Sequence, residues 1–175
     1  IEIDQKQFTM KIKPLLYFAS LSLACATASA HDPAAHVAAR PAKAELASMA
    51  AFGPDGQLHV VSKEGAQLVL RRSSDEGRTW LPPLVVNARP EPIAADGDSQ
   101  PKLAFNRDGD LLVSWTKPLT RPYTGEIRLA RLDKGATAFA EPLTVHKDRA
   151  EITHRFQNLI TDASGRVTVL WIDTR

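Results

Sequence analysis

The sequence predicts an all-β fold built from repeated four-stranded antiparallel units, and three observations point to it. From Leu46 onward, short alternating apolar runs are broken by turn residues, the pattern of half-buried strands. No window holds a helical period long enough for a helix. A strand-turn-strand segment recurs: Ala51-Phe52-Gly53-Pro54-Asp55-Gly56-Gln57-Leu58-His59-Val60 is matched by Ala104-Phe105-Asn106-Arg107-Asp108-Gly109-Asp110-Leu111-Leu112-Val113 and by Ile160-Thr161-Asp162-Ala163-Ser164-Gly165-Arg166-Val167-Thr168-Val169.

The turn glycines fall at 56, 109 and 165, which are 53 and 56 residues apart. Glycine suits these turns because the backbone there wants a positive φ. The second half of each unit repeats as well. Leu68-Val69-Leu70-Arg71-Arg72 leads through Ser73–Trp80 to Pro83-Leu84-Val85-Val86. Ile127-Arg128-Leu129-Ala130-Arg131 leads through Asp133-Lys134-Gly135-Ala136-Thr137 and Phe139 to Pro142-Leu143-Thr144-Val145. Four strands per unit at a period of 50-odd residues describe the blades of a β-propeller, over about 46–87, 99–146 and an incomplete 156–175. A β-sandwich also has short strands, but it does not repeat one turn chemistry at a fixed period.

Ser73-Ser74-Asp75-Glu76-Gly77-Arg78-Thr79-Trp80 fits Ser-x-Asp-x-Gly-x-Thr-Trp at every specified position. Asp75 can accept hydrogen bonds from N–H groups of its own turn, and Gly77 can take positive φ. Thr79 re-enters a strand, and Trp80 is expected to pack its ring between sheets. This octet resembles the Asp box, or BNR repeat, of the sialidase superfamily. Asp133, Gly135 and Thr137, with Phe139 one place late and Arg131 in place of Ser, resemble a degenerate second copy. The resemblance covers roughly 46–175 and implies about six blades in the parent protein, of which this chain holds about two and a half. In that family the box is a structural device on an outer turn, so turn chemistry rather than acid catalysis accounts for Asp75.

Strand order places the loops. With strands running outward from the axis, the Asp55-Gly56, Asp108-Gly109 and Ser164-Gly165 turns share one face with the Asp box. The opposite face, which propellers use for binding, receives the crossings Asn87–Gln100 and His146–Phe156. It also receives the loops Ser62–Gln67, Thr116–Glu126 and Asp173–Arg175. Loops longer than a hairpin needs are often functional. Asp96, Asp98, Lys117, Tyr123 and Glu126 lie there, with Arg121, His154, Arg155, Asp173 and Arg175. Sialidase-like chemistry uses a tyrosine nucleophile with a carboxylate, a second carboxylate as acid/base, and arginines on the substrate carboxylate. The resemblance thus makes Asp98, Tyr123 and Glu126 the catalytic candidates, and Arg121, His154, Arg155, Asp173 and Arg175 the substrate-binding ones. Ile152–Phe156 and Trp171–Arg175 resemble stretches of exported bacterial BNR-repeat proteins. The family's early Phe/Tyr-Arg-Ile-Pro segment is missing between His31 and Ser73, which puts catalysis in question. Two expectations stand: an exo-glycosidase on sialic-acid-type glycans, or a non-catalytic module binding glycan or protein.

The chain's first part reads as export apparatus. Residues 1–9 precede the first plausible start, Met10. Lys11 and Lys13, an apolar run from Leu15 to Ala26 and Ala28-Ser29-Ala30 follow, the layout of a signal peptide cleaved after Ala30. Cys25 raises an alternative lipoprotein reading. Residues 31–45, rich in Ala, Pro and charge, read as a flexible leader; His31 and His36 there are linker residues rather than copper ligands. The expected location is periplasmic or secreted. Cys25 is the sole cysteine, so the mature domain is expected to hold by burial alone. With 22 Lys and Arg against 20 Asp and Glu, no nucleic-acid partner is implied. No cofactor, metal or membrane span is expected. The partner expected at the binding face is a glycan or another extracytoplasmic ligand. An unclosed set of blades is expected to associate and to be inactive by itself.

Overall fold

The computed structural model describes residues 47–174. The signal-peptide, Cys25 and leader assignments, and Arg175, lie outside the described residues. Ten strands make up the described part: β1 (Ser48–Phe52), β2 (Leu58–Glu64), β3 (Gln67–Ser73), β4 (Leu84–Val85), β5 (Lys102–Phe105), β6 (Leu111–Pro118), β7 (Gly125–Leu132), β8 (Leu143–Thr144), β9 (His154–Thr161) and β10 (Val167–Asp173). They form two four-stranded antiparallel sheets, β1-β2-β3-β4 and β5-β6-β7-β8, and an antiparallel hairpin β9-β10. The described residues contain no helix, and so none long and apolar enough to cross a membrane.

The three repeated segments fold alike, down to single hydrogen bonds. The first residue of each turn donates N–H to the carbonyl four residues on: Gly53 to Gln57 (2.8 Å), Asn106 to Asp110 (3.0 Å) and Asp162 to Arg166 (3.0 Å). Each turn glycine donates back to that first residue, and Gly56, Gly109 and Gly165 have φ of 76°, 87° and 86°. The sequence period is therefore a period of backbone geometry.

β1 lies against β5, and β9 lies against β5, β6 and β7. The core between the two sheets joins Val61, Leu68, Leu70 and Val86 to Leu103, Leu111, Val113 and Trp115, all buried. Trp115 is wholly buried, and its indole N–H donates to Glu91 Oε1 at 2.9 Å, which satisfies the one polar atom such a ring brings inside. The outer strands β4 and β8 are only two residues long, shorter than their sequence suggested. Past β4 the Asn87 side chain substitutes for ladder bonds: Oδ1 accepts from Leu68 N–H (2.7 Å), and Nδ2 donates to Ala66 O and Arg89 O (both 3.1 Å).

Two loops are tighter than the sequence suggested. Glu64 pairs with Gln67, so Ser62–Gln67 is a hairpin with a two-residue turn at Gly65-Ala66 rather than a long loop. Lys117 pairs with Glu126 and Pro118 with Gly125, which narrows Thr116–Glu126 to residues 119–124. The cause is ladder formation continuing to the last pair that can close.

β9 carries a bulge. Asn158 pairs with Leu170 and Arg155 with Ile172, so Phe156 and Gln157 together oppose Trp171. Phe156 has a φ of 57°. His154 and Arg155 precede the bulge in regular register with Asp173 and Ile172, so they point to opposite faces of the hairpin. Both are buried because each face is covered, His154 by His146 and Gly125 and Arg155 by Asp96 and Ser99. Gln157, the second residue of the bulge, is the hairpin's polar anchor. Its Nε2 donates to Gln100 O (2.9 Å) and Ser114 O (3.3 Å), while Oε1 accepts from the Thr116 hydroxyl (2.7 Å).

Gly125 marks the closest approach of the hairpin to the second sheet. A Cβ there would sit 2.9 Å from His154 O and 2.9 Å from Thr116 Cγ2. Gly125→Ala is therefore expected to cost about 1–3 kcal/mol, the range for overpacking. Denaturant titration checks this; unchanged or higher stability would show that the approach is loose.

Candidate functional site

The Asp75 turn and the loop face differ in what holds them. In the turn, Asp75 Oδ1 accepts from Thr79 N–H (2.8 Å) and the Ser73 hydroxyl (2.7 Å), and Oδ2 accepts from the Thr79 hydroxyl (2.7 Å). Ser73 Oγ accepts in turn from Gly77 N–H (2.8 Å), and Gly77 has a φ of 89°. The Thr79 N–H above all, then the two hydroxyls, holds the Asp75 carboxyl down to about 2. Trp80 departs from its expectation. It is 44 % exposed and folds back over Gly77, where a Cβ would meet its ring at 3.3 Å; Pro82 and Pro83 follow after Leu81, and Leu84 and Val86 take the inward places instead.

The degenerate copy is tied differently. Asp133 ion-pairs with Arg131 (2.6 Å), and the capping role passes to buried Asp110. Asp110 accepts from Lys134 N–H (2.9 Å) and Asn106 Nδ2 (2.9 Å), which hold its carboxyl low. Asp110 belongs to the inner turn of its own unit, so the missing serine is offset from another loop.

The opposite face is assembled by two crossings and the 119–124 loop. Arg121 N–H donates to Glu151 Oε1 (2.7 Å), and its guanidinium donates to Glu151 O, which binds the 119–124 loop to the 146–153 crossing. Glu91 accepts from Trp115 and from Arg128 Nε (3.2 Å) and lies 3.9 Å from Lys117 Nζ. Lys117 also pairs with Glu126 at 3.4 Å.

Arg155 sits where these loops meet. Its Nη2 donates to Asp96 Oδ1 (2.5 Å) and Oδ2 (2.6 Å) and to Ser99 Oγ (3.3 Å). The side chain is only 8 % exposed, yet its Nε is buried without a hydrogen-bond partner. Two aromatic rings flank it, Tyr123 at 5.9 Å and Phe156 at 5.2 Å from ring centroid to guanidinium carbon. Tyr123 (φ 64°) and Phe156 are two of the three non-glycine residues with positive φ among those described. Such conformations cost about 1–3 kcal/mol each and collect at functional sites. Tyr123 stands third in a turn closed by Thr124 N–H and hydroxyl donating to Arg121 O (3.2 and 2.7 Å), with Pro122 second. Proline followed by positive φ is the type II pattern, which normally puts glycine where Tyr123 is.

Beside Arg155, His154 is fully buried and stacks on His146, centroids 3.8 Å apart. His146 Nε2 accepts from Ile127 N–H (3.2 Å) and its Nδ1–H donates to Asp148 O (2.6 Å), a neutral tautomer fixed by backbone groups. His154 Nδ1–H donates to Gly125 O (3.2 Å), and Nε2 lies 3.5 Å from Asp173 Oδ2.

Of the residues singled out in the sequence, the structure brings together Arg121, Tyr123, His154, Arg155 and Asp173. Glu126 is drawn to Lys117, and neither Tyr123 nor Glu126 hydrogen-bonds the other. Asp98 is exposed and takes no part in holding Arg155. Arg175 lies outside the described residues. Asp96, noted only as one loop charge among many, is the counterion of Arg155; Glu91, Ser99 and Gln157 were missed. They act across 24 to 59 residues of sequence, and no local motif marks such partners. No group of three or more His, Cys, Asp or Glu able to hold a metal occurs among the described residues.

Burial, above the nearby positive charges, lowers the His146 pKa from its usual value. A base with a lowered folded pKa contributes stability that is full above about pH 6.5 and is lost as pH falls through the folded value. The melting temperature is therefore expected to fall below pH 6.5, less steeply in His146→Gln; equal slopes would contradict this. Compared with models of known protein families the chain matches none, and curated protein sequences give no match either, so its own residues carry the functional reading.

Proposed function

We propose that residues 46–175 are part of an exported, sialidase-like Asp-box β-propeller, and that the face around Arg155 binds an anionic glycan or a similar extracytoplasmic ligand. The propeller reading is supported by the repeated four-stranded meanders, by the contact of the first strand β5 with the first strands β1 and β9 on either side, and by Asp75 closing its turn as an Asp box would.

The observation that carries the ligand reading is the pair of strained aromatic residues flanking a buried, incompletely satisfied guanidinium. Tyr123 is 74 % exposed, so its ring face is free to stack on the C–H face of a sugar. Arg155, set by Asp96 and Ser99, supplies positive charge in fixed fork geometry for a carboxylate. The bulge at Phe156 and the turn at Tyr123 pre-set both rings before a ligand arrives, which reduces the ordering cost of binding.

Binding is preferred to hydrolysis because Tyr123 and Glu126 serve different neighbours. Hydrolysis is the second reading, favoured by the exposed phenol of Tyr123 beside the Arg155–Asp96 pair.

Tyr123→Gly separates function from stability. It places glycine where the turn wants it, so thermal stability is expected to hold or rise. Binding of a sialylated oligosaccharide, followed by titration calorimetry on the full chain, is expected to weaken about tenfold or more, the loss of one aromatic contact. Arg155→Lys is expected to weaken it similarly, since the fork is lost and the charge kept. Undiminished binding in both variants would refute the site. Release of sialic acid that Tyr123→Phe abolishes would replace binding with hydrolysis.

A further inference from the structure

A cavity on the turn face lies away from Arg155, between the two sheets, with a volume of about 210 Å³. Its position follows from the ladder of the first sheet. On the side facing the second sheet, the pair Val61–Leu70 is buried and apolar, and the next pair toward the turns is His59–Arg72. Opposite stand Phe105 and the paired Leu111 and Leu132. A cation and an imidazole thus occupy rungs where the sheet interface has just been hydrocarbon.

His59 is accounted for: its Nδ1–H donates to Gln57 O (3.0 Å), and its ring meets Phe105 edge-on at 4.9 Å. Arg72 is not. Its neighbour Arg71, on the other face, pairs with Glu64 and Ser62. Arg72 makes no side-chain hydrogen bond or ion pair to any described residue, and its Nε is fully buried. The two carboxylates of the lining are committed elsewhere, Asp133 to Arg131 (2.6 Å) and Asp55 Oδ1 to Gln57 N–H (3.0 Å). Lys134 adds a second cation, its stem packed over Gly109. Only Nε of Arg72 is wholly buried and the residue as a whole is partly exposed, so its guanidinium lines the cavity with no carboxylate paired to it, and a carboxylate is the group its fork fits best.

We propose that this cavity binds a small monocarboxylate with an apolar ring or branched chain, its carboxylate on Arg72 and its apolar body against Phe105, Leu111 and Leu132. A cavity of about 150 Å³ accepts benzene, so about 210 Å³ suits a ring bearing a carboxylate. The apolar wall selects against inorganic anions, and Arg72 selects against neutral molecules of the same shape. The site is separate from the loop face, so its occupancy does not depend on Arg155 or Tyr123.

The test is fluorine NMR observed on 4-fluorobenzoate with the full chain. Saturable binding is expected, weakened about tenfold or more in Arg72→Met, the worth of one charge-assisted contact. 4-Fluorobenzyl alcohol is expected to bind about tenfold more weakly than the benzoate, and inorganic phosphate is expected not to displace it. Ala136→Leu, which fills the lined space while keeping Arg72, is expected to abolish binding and serves if Arg72→Met does not fold. Benzoate binding that is absent, unaffected by both variants, matched by the alcohol or displaced by phosphate would overturn the proposal.

Discussion

The bulge in β9 and the buried amide of Gln157 within it are the constraint on which the loop face depends. Gln157 joins three things at once: the 87–101 crossing through Gln100 O, the second sheet through Ser114 O, and that sheet's ladder side chain Thr116. An amide with every hydrogen-bonding group used inside the protein is expensive to displace. With Gln157 fixed, the hairpin is held against the second sheet, and His154 and Arg155, the two residues before the bulge, are buried on its two faces. Arg155 then reaches Asp96, and His154 reaches Gly125 and Asp173. The ring of Tyr123 stands over Arg155 because Arg121 ties its turn to Glu151.

The two faces divide the work. On the turn face, Asp75 and Asp162 satisfy backbone groups of their own turns and Asp110 also caps the neighbouring turn at Lys134, and these donors hold each carboxyl low. On the loop face, the bonds are long-range and charged, and two non-glycine residues adopt positive φ. Strain of that kind persists only where surrounding structure over-determines it, and the tight turns and packed sheets supply that surrounding. The cavity at Arg72 is the exception on the turn face, a cation with no local carboxylate to receive it.

The strands and turns were legible because their causes are local. Glycine at 56, 109 and 165 announces positive φ, and Asp75 closes a turn whose partners lie within four residues. The site was legible only in part. Strand order placed Arg121, Tyr123, His154 and Arg155 on one face, but which carboxylate would meet which cation depends on crossings whose path no periodicity records. Asp96 and Arg155 are 59 residues apart. The expected burial of Trp80 failed because the prolines after it turn the chain before the ring can enter the interface. The tight closure at Lys117 and Glu126 escaped notice because both residues look like loop charges until the ladder pairs them.

Hydrogen exchange on the full chain carrying Gln157→Leu tests the central dependence most directly. The account predicts that amides of β9 and of the 119–124 turn lose protection, while those of the Asp75 turn and of β1–β3 keep theirs, since only the hairpin's anchor is removed. Protection that is unchanged everywhere, or lost evenly across all ten strands, would contradict it.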